Sequence, residues 1–238
     1  MIRLRQACRK LRGWRRGGVT VLAGALAALA LPPLGAWPLL FAAVPLFLAV
    51  LEGATTRRSA LLLGWLFGLG FFVVAFHWIG FAFLVDADTY LWMMPFMVGG
   101  LAGGMAIYWG LAALAVRLAR LHGLSLVIGF AAAIAVAEWL RGHLFTGFPW
   151  AAPGLAAEAM GPVAQVASVT GMTGLTLLIL LLAGLPLVLL SPSLRRERWL
   201  ALALLALLPA GWGFGAWQLA LPKAPDTELS LRIVQPNV

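Results

Sequence analysis

Seven long apolar stretches separated by short polar breaks run through this chain, covering roughly 17–31, 36–51, 59–84, 91–119, 124–141, 163–190 and 198–219. About 20 apolar residues in helical form match the hydrocarbon thickness of a bilayer. The residues between the stretches decide which solvent the fold meets. Only 11% of the 238 positions are charged and 63% are hydrophobic, whereas about 25% of an ordinary soluble domain is charged. So few polar side chains cannot coat a water-facing surface. Lipid must solvate much of the fold, and each span must satisfy its own backbone as a helix. The expectation is an all-α polytopic membrane domain over 17–219, preceded by a basic tail, 1–16.

The first two stretches are the weakest. About 15 residues of helix rise only about 22 Å, short of the ~30 Å hydrocarbon core. Pro32, Pro33, Pro38 and Pro45 interrupt them further, so two short helices or a re-entrant hairpin both fit. The basic tail with the first apolar run also has the form of a signal peptide; a retained first helix suits so multi-spanning a chain better.

Charge gives an independent reading of topology. With the amino terminus inside and spans alternating, Arg3, Arg5, Arg9, Lys10, Arg12, Arg15, Arg16, Arg57, Arg58, Arg117, Arg120, Arg195, Arg196 and Arg198 all fall inside. These are fourteen of the 17 basic residues. Only Arg141, Lys223 and Arg232 fall outside, and Asp86 and Asp88 lie on an outer loop without Lys or Arg. Such asymmetry is the positive-inside pattern of an inner-membrane protein whose carboxyl-terminal end is periplasmic. The net charge of +9 is therefore explained by topology and anionic lipid headgroups, and nucleic acid is not expected as a partner. The lone Cys8 excludes an internal disulfide and reads as an inert thiol.

Glycine spacing predicts close helix packing. Gly64 and Gly68, Gly99 and Gly103, and Gly100 and Gly104 each stand four apart, a spacing that lets helix backbones approach in lipid. Two stretches break the apolar rhythm. One is the outer loop 142–162, with Thr146-Gly147-Phe148-Pro149-Trp150. The other is 229–238, where Leu229, Leu231 and Ile233 alternate with Ser230 and Arg232 in the two-residue period of a strand. The proline-bearing segment 220–228 before it reads as a linker, so a second domain is expected to begin at 229.

Few residues carry chemistry. Glu138 and Arg141, three apart on one helix face, are either a mutually neutralising anchor or a polar site facing the outer domain. His77, beside Trp78 in the third span, is expected to hydrogen-bond a neighbouring helix. His143 is expected in a solvated loop, and Asp86 and Asp88 as solvated loop charges. Gly147, Phe148, Pro149 and Trp150 specify a rigid turn, either an interfacial aromatic belt or a substrate-lining element. No phosphate loop, nucleophile elbow, zinc spacing or cofactor motif is present. A transporter or channel fragment, or a non-catalytic anchor for an outer domain, therefore stays open beside an enzyme.

Gly64-Trp65-Leu66-Phe67-Gly68, His77-Trp78-Ile79, Glu138-Trp139-Leu140-Arg141, Thr146-Gly147-Phe148-Pro149-Trp150, Gly161-Pro162 and Leu231-Arg232-Ile233-Val234-Gln235-Pro236-Asn237-Val238 together resemble the bacterial apolipoprotein N-acyltransferases. The resemblance covers most of the chain from about residue 60. It implies that 229–238 is the first strand of a truncated αββα nitrilase-like domain on the periplasmic side. In that family a cysteine takes an acyl chain from a phospholipid as a thioester and passes it to the amine of a diacylglyceryl-cysteine on an apolipoprotein. A glutamate base and an oxyanion-stabilising lysine assist. Those three residues lie downstream of the Gln-x-Asn strand. Cys8, Lys10 and Lys223 match none of them, so no catalytic residue is assigned and the chain alone is expected to be inactive. The resemblance further implies a monomer, a phospholipid acyl donor and a lipoprotein acceptor. The expected contribution of this chain is a lipid-facing floor built from Gly147, Phe148, Pro149 and Trp150 over Glu138 and Arg141, with His77 and Trp78 nearby.

Overall fold

The computed structural model describes residues 2–222 together with 232, 234 and 235. Among these residues every regular element is helical. Most of the strand expected over 229–238 and most of the linker lie outside the described residues, and the described residues 232, 234 and 235 are not in a strand.

Eleven α-helices follow in order: α1 (Ile2–Lys10), α2 (Gly13–Ala28), α3 (Leu40–Glu52), α4 (Arg57–Ala75), α5 (Ala87–Tyr90), α6 (Met94–Leu118), α7 (Gly123–His143), α8 (Ala167–Gly184), α9 (Pro186–Leu189), α10 (Arg198–Leu205) and α11 (Leu207–Leu219). Tighter 3-10 turns join several of them, notably His77–Leu84 and Pro153–Val166.

Among the described residues, five helical stretches are long and apolar enough to cross a membrane: Arg57–Ala75, Ala87–Leu118, Gly123–Thr146, Pro153–Leu189 and Arg198–Leu219. The expected count of seven is therefore met by length in five cases. The other two stretches are the separate helices α2 and α3, of 16 and 13 residues, which rise only about 24 and 20 Å. Short as it is, α2 packs along α4. A Cβ on Gly24 would collide with the Phe67 carbonyl oxygen, and one on Gly70 with that of Val21.

The third expected span is also shorter than its apolar run. The α4 helix stops at Ala75, and 77–84 continues as a 3-10 turn. The imidazole of His77 supplies a local reason. Its Nδ1 donates to the Val74 carbonyl at 2.8 Å, satisfying an acceptor that the next helical turn would otherwise have taken. Conversely, the outer loop expected over 142–162 is mostly wound. Its Pro153–Val166 portion packs against α8 and α11.

The most extensive helix contact is α4 with α6, and here the glycine expectation splits. A Cβ on Gly64 would sit 2.5 Å from the Trp109 carbonyl oxygen, and one on Gly68 3.1 Å from the Ala106 Cα. Those two glycines set the close approach. Gly99, Gly100 and Gly104 would meet nothing within 4 Å, so they do not mediate packing; Gly103 touches Trp65 only. The reason is rotational. Ala102, Ala106, Trp109 and Ala113 occupy the buried face of α6, and the three glycines lie off it.

Below the α4–α6 seam the core is aromatic. Phe47 stacks on Phe67 with centroids 4.2 Å apart, and Phe71, Phe72 and Phe67 surround Trp109 at 4.7, 5.1 and 5.5 Å. Each such contact adds about 0.5–1.5 kcal/mol to simple burial in soluble proteins. The ring of Trp109 thereby becomes the pivot on which the polar residues of α7 are placed.

Candidate functional site

The last turns of α7 carry Glu138 and Arg141, and both are buried, at 6% and 1% exposure. A charge so placed needs full pairing. The Arg141 guanidinium supplies it in three directions. Its Nε and Nη2 donate to the two carboxylate oxygens of Glu138, the first at 3.2 Å. Its Nη1 donates to the Phe148 carbonyl, and its face lies 5.1 Å over the Phe72 ring. Glu138 Oε1 also accepts from Trp109 Nε1 at 2.8 Å. The three-residue spacing thus predicted the pair correctly, but the partners on α4 and α6 lie outside its reach. Trp109 and Phe72 are functional candidates that the sequence reading missed. A buried carboxylate demands a donor, yet nothing in the sequence says which span provides it.

The turn following α7 is tied back to this pair. Phe148 N–H donates to the Arg141 carbonyl at 2.8 Å, and the Phe148 ring meets Phe76 edge-on at 5.4 Å. Between them the backbone takes left-handed angles at Phe145 (φ 51), Thr146 (φ 72) and Gly147 (φ 82), and again at Ala151 (φ 60). A Cβ at Gly147 would collide with the Gly142 carbonyl oxygen, so only glycine fits there. Each of the three non-glycine residues costs about 1 kcal/mol in this conformation. The double tie to Arg141 holds the turn in place.

The outer surface of the turn is aromatic. Trp150 and Trp78 are about half exposed, their rings 5.6 Å apart, and Phe145 is 92% exposed. Pro149, with Glu138, His143, Met172, Thr173 and Thr176, borders a cavity of about 290 Å³ between α7 and α8. Thr176 is fully buried, and its hydroxyl accepts from Gly154 N–H at 3.1 Å.

Two histidine expectations are corrected. His77 is exposed and bonds its own segment at Val74, not a neighbouring helix; it lies beyond the end of α4, where its nearest backbone acceptor is local. His143 belongs to α7, not to a loop. It stacks on Trp139 at 4.5 Å and is bonded to that residue's carbonyl at 2.7 Å. The structure therefore joins Glu138, Arg141 and Phe148 directly, sets Trp78 against Trp150, and leaves His77 apart from the buried cluster. Cys8 is buried at 4% exposure, and burial pushes its thiol above the usual range, away from thiolate reactivity.

Residues 23–185 match the family described as the apolipoprotein N-acyltransferase N-terminal domain. The chain is similar to apolipoprotein N-acyltransferases of Allorhizobium ampelinum (38% identical, covering 100% of the chain and 46% of the relative), Rhodopseudomonas palustris (39%, 95% and 44%) and Caulobacter vibrioides (42%, 95% and 43%). It thus spans less than half the length of these relatives. With a match over most of its length, the chain belongs to the apolipoprotein N-acyltransferase family.

Proposed function

We propose that this chain is the membrane-embedded part of an apolipoprotein N-acyltransferase, and that the Arg141-clamped turn forms the membrane-level floor of its active site. The activity concerned moves an acyl chain from a phospholipid, through a cysteine thioester, to the amino-terminal amine of a diacylglyceryl-cysteine. None of the 238 residues is given a covalent role. Their work is to hold a lipid-level surface in one geometry beneath the reacting groups, so that positioning rather than bond-making is what they contribute.

The observation that carries the reading is the two-way bond between Arg141 and Phe148, which fixes an aromatic turn at one end of α7. The opposite end of α7 adjoins Arg117 and Arg120. With arginine favoured on the cytoplasmic side, the clamped turn faces the periplasm, where the nitrilase-like domain of the family would sit. Half-exposed Trp78 and Trp150 and the exposed Phe145 suit the headgroup boundary at which a phospholipid acyl donor is met.

The test places Trp150→Ala and Arg141→Ala in a full-length relative and measures acyl transfer to a diacylated lipopeptide. At equal expression, each is expected to lower the rate at least about tenfold, a loss equivalent to one misplaced positioning group. Wild-type rates in both variants would reject the floor. A reporter fused after Leu221 that is active only in the cytosol would reject the orientation.

A further inference from the structure

We propose a specific binding site for an anionic phospholipid headgroup at the arginine-rich end of the bundle, remote from the Arg141 turn. A cavity of about 530 Å³ opens there between α1 and the ends of α3, α6 and α7. Arg5, Arg9, Arg117, Arg120 and His122 border it, with Glu52 as its acidic residue. These side chains come from positions more than 100 residues apart and are assembled by folding alone.

The charges in the cavity are not balanced. Glu52 is committed to Arg5, which donates to it from Nε at 2.8 Å and from Nη2 at 2.5 Å. Arg117 uses Nε and Nη2 to hold the Ala54 and Thr55 carbonyls at 3.1 Å each, closing the end of α3. The guanidinium groups of Arg9 and Arg120 have no hydrogen-bond or ion-pair partner among the described residues, and both residues are exposed. Two guanidiniums thus border the cavity with donors free, and a phosphate diester is an anion that guanidinium donors pair with well.

Arg120 is held there against a local preference. It follows the last residues of α6 with φ 53, and Leu121 N–H returns to the Val116 carbonyl at 3.4 Å while Arg120 N–H returns to that of Arg117 at 3.2 Å. This is the helix-ending motif whose left-handed position glycine normally fills. An arginine there carries its charge into the cavity mouth.

A second feature makes the ligand a lipid and not a free anion. Arg5 also borders an adjoining apolar groove of about 220 Å³, walled by Phe41, Pro45 and Leu46 of α3 and by Pro186 and Leu190. Arg5 Nη1 is fixed between the two spaces by a bond to Ser191 Oγ at 2.8 Å. A phosphate on Arg9 and Arg120 would leave an acyl chain to lie along this groove. Basic pockets between membrane helices bind anionic headgroups in this way.

The experiment uses the delipidated 238-residue chain in mild detergent, with lipid binding read by native mass spectrometry and stabilisation by thermal unfolding. Phosphatidylglycerol should bind and stabilise, and phosphatidylcholine should not. Arg9→Gln and Arg120→Asn, the latter chosen because asparagine tolerates the left-handed position, should each weaken phosphatidylglycerol binding about fivefold with lipid-free unfolding unchanged. Arg58→Gln, an exposed cation outside the cavity, should leave it within about twofold, the scatter expected of a diffuse surface charge. Equal loss in Arg58→Gln, no loss in the Arg9 and Arg120 variants, or equal stabilisation by inorganic phosphate would each overturn the proposal.

Discussion

Arg141 and Phe148 are bonded in both directions: the Phe148 N–H donates to the Arg141 carbonyl at 2.8 Å, and the Arg141 guanidinium donates to the Phe148 carbonyl. A helix end and the turn after it thereby become one rigid unit. The same guanidinium neutralises Glu138, so fold stability and turn geometry rest on a single side chain.

Breaking that pair from one side should be costly. Glu138→Gln leaves the Arg141 charge buried at 1% exposure, and the expected loss is about 3–5 kcal/mol, read as a fall in unfolding temperature in detergent. Adding Arg141→Met to the same protein should recover part of the loss, because no unpaired charge is then buried. A double variant less stable than Glu138→Gln alone would contradict the ion-pair account.

The Trp109 indole should matter through its N–H as well as its ring. Trp109→Phe keeps most of the aromatic packing but removes the donor to Glu138 Oε1. The expected cost is about 1.5–3 kcal/mol, that of a hydrogen bond to a charged group, measured by the same thermal assay. A cost no greater than that of an ordinary core trimming at Phe71 would argue that the bond contributes nothing.

Opposite signs are expected at two neighbouring left-handed positions. Gly147→Ala forces a Cβ against the Gly142 carbonyl and should loosen the turn, exposing 144–152 to limited proteolysis. Ala151→Gly relieves φ 60 and should be neutral or stabilising by up to about 1 kcal/mol. Equal protease resistance of Gly147→Ala and wild type would remove the case for a strained, clamped turn.

Glycines of the same spacing should respond differently to a methyl group. Gly64→Ala meets Ala113 and the Trp109 backbone at 2.5 Å and should lower folded yield on size-exclusion chromatography. Gly100→Ala and Gly104→Ala meet nothing and should be tolerated, with up to about 1 kcal/mol gained from helix propensity.

Cys8 should resist alkylation. Its thiol is buried and its pKa raised by that burial, so less thiolate exists at any given pH than for a free cysteine. The expected outcome is slow iodoacetamide labelling at pH 8 that becomes fast on denaturation; labelling as fast as for a small-molecule thiol would contradict the buried placement of α1.

Much was legible before folding was considered. Scarce charge and long apolar runs determine a helical fold solvated by lipid, because backbone groups in hydrocarbon must be paired within the segment. Three-residue spacing determines that Glu138 and Arg141 meet, since a helix repeats every 3.6 residues. Turn chemistry at Gly147 and Pro149 determines a constrained bend. Tertiary structure alone decided that Trp109 and Phe72 complete the buried pair, that Gly64 and Gly68 pack while Gly100 and Gly104 do not, and that Arg9 and Arg120 share one cavity. Those outcomes depend on how whole helices are rotated and which ends meet. Local periodicity sets the faces of a single helix, but the rotation of one helix against another is set by packing across the whole bundle.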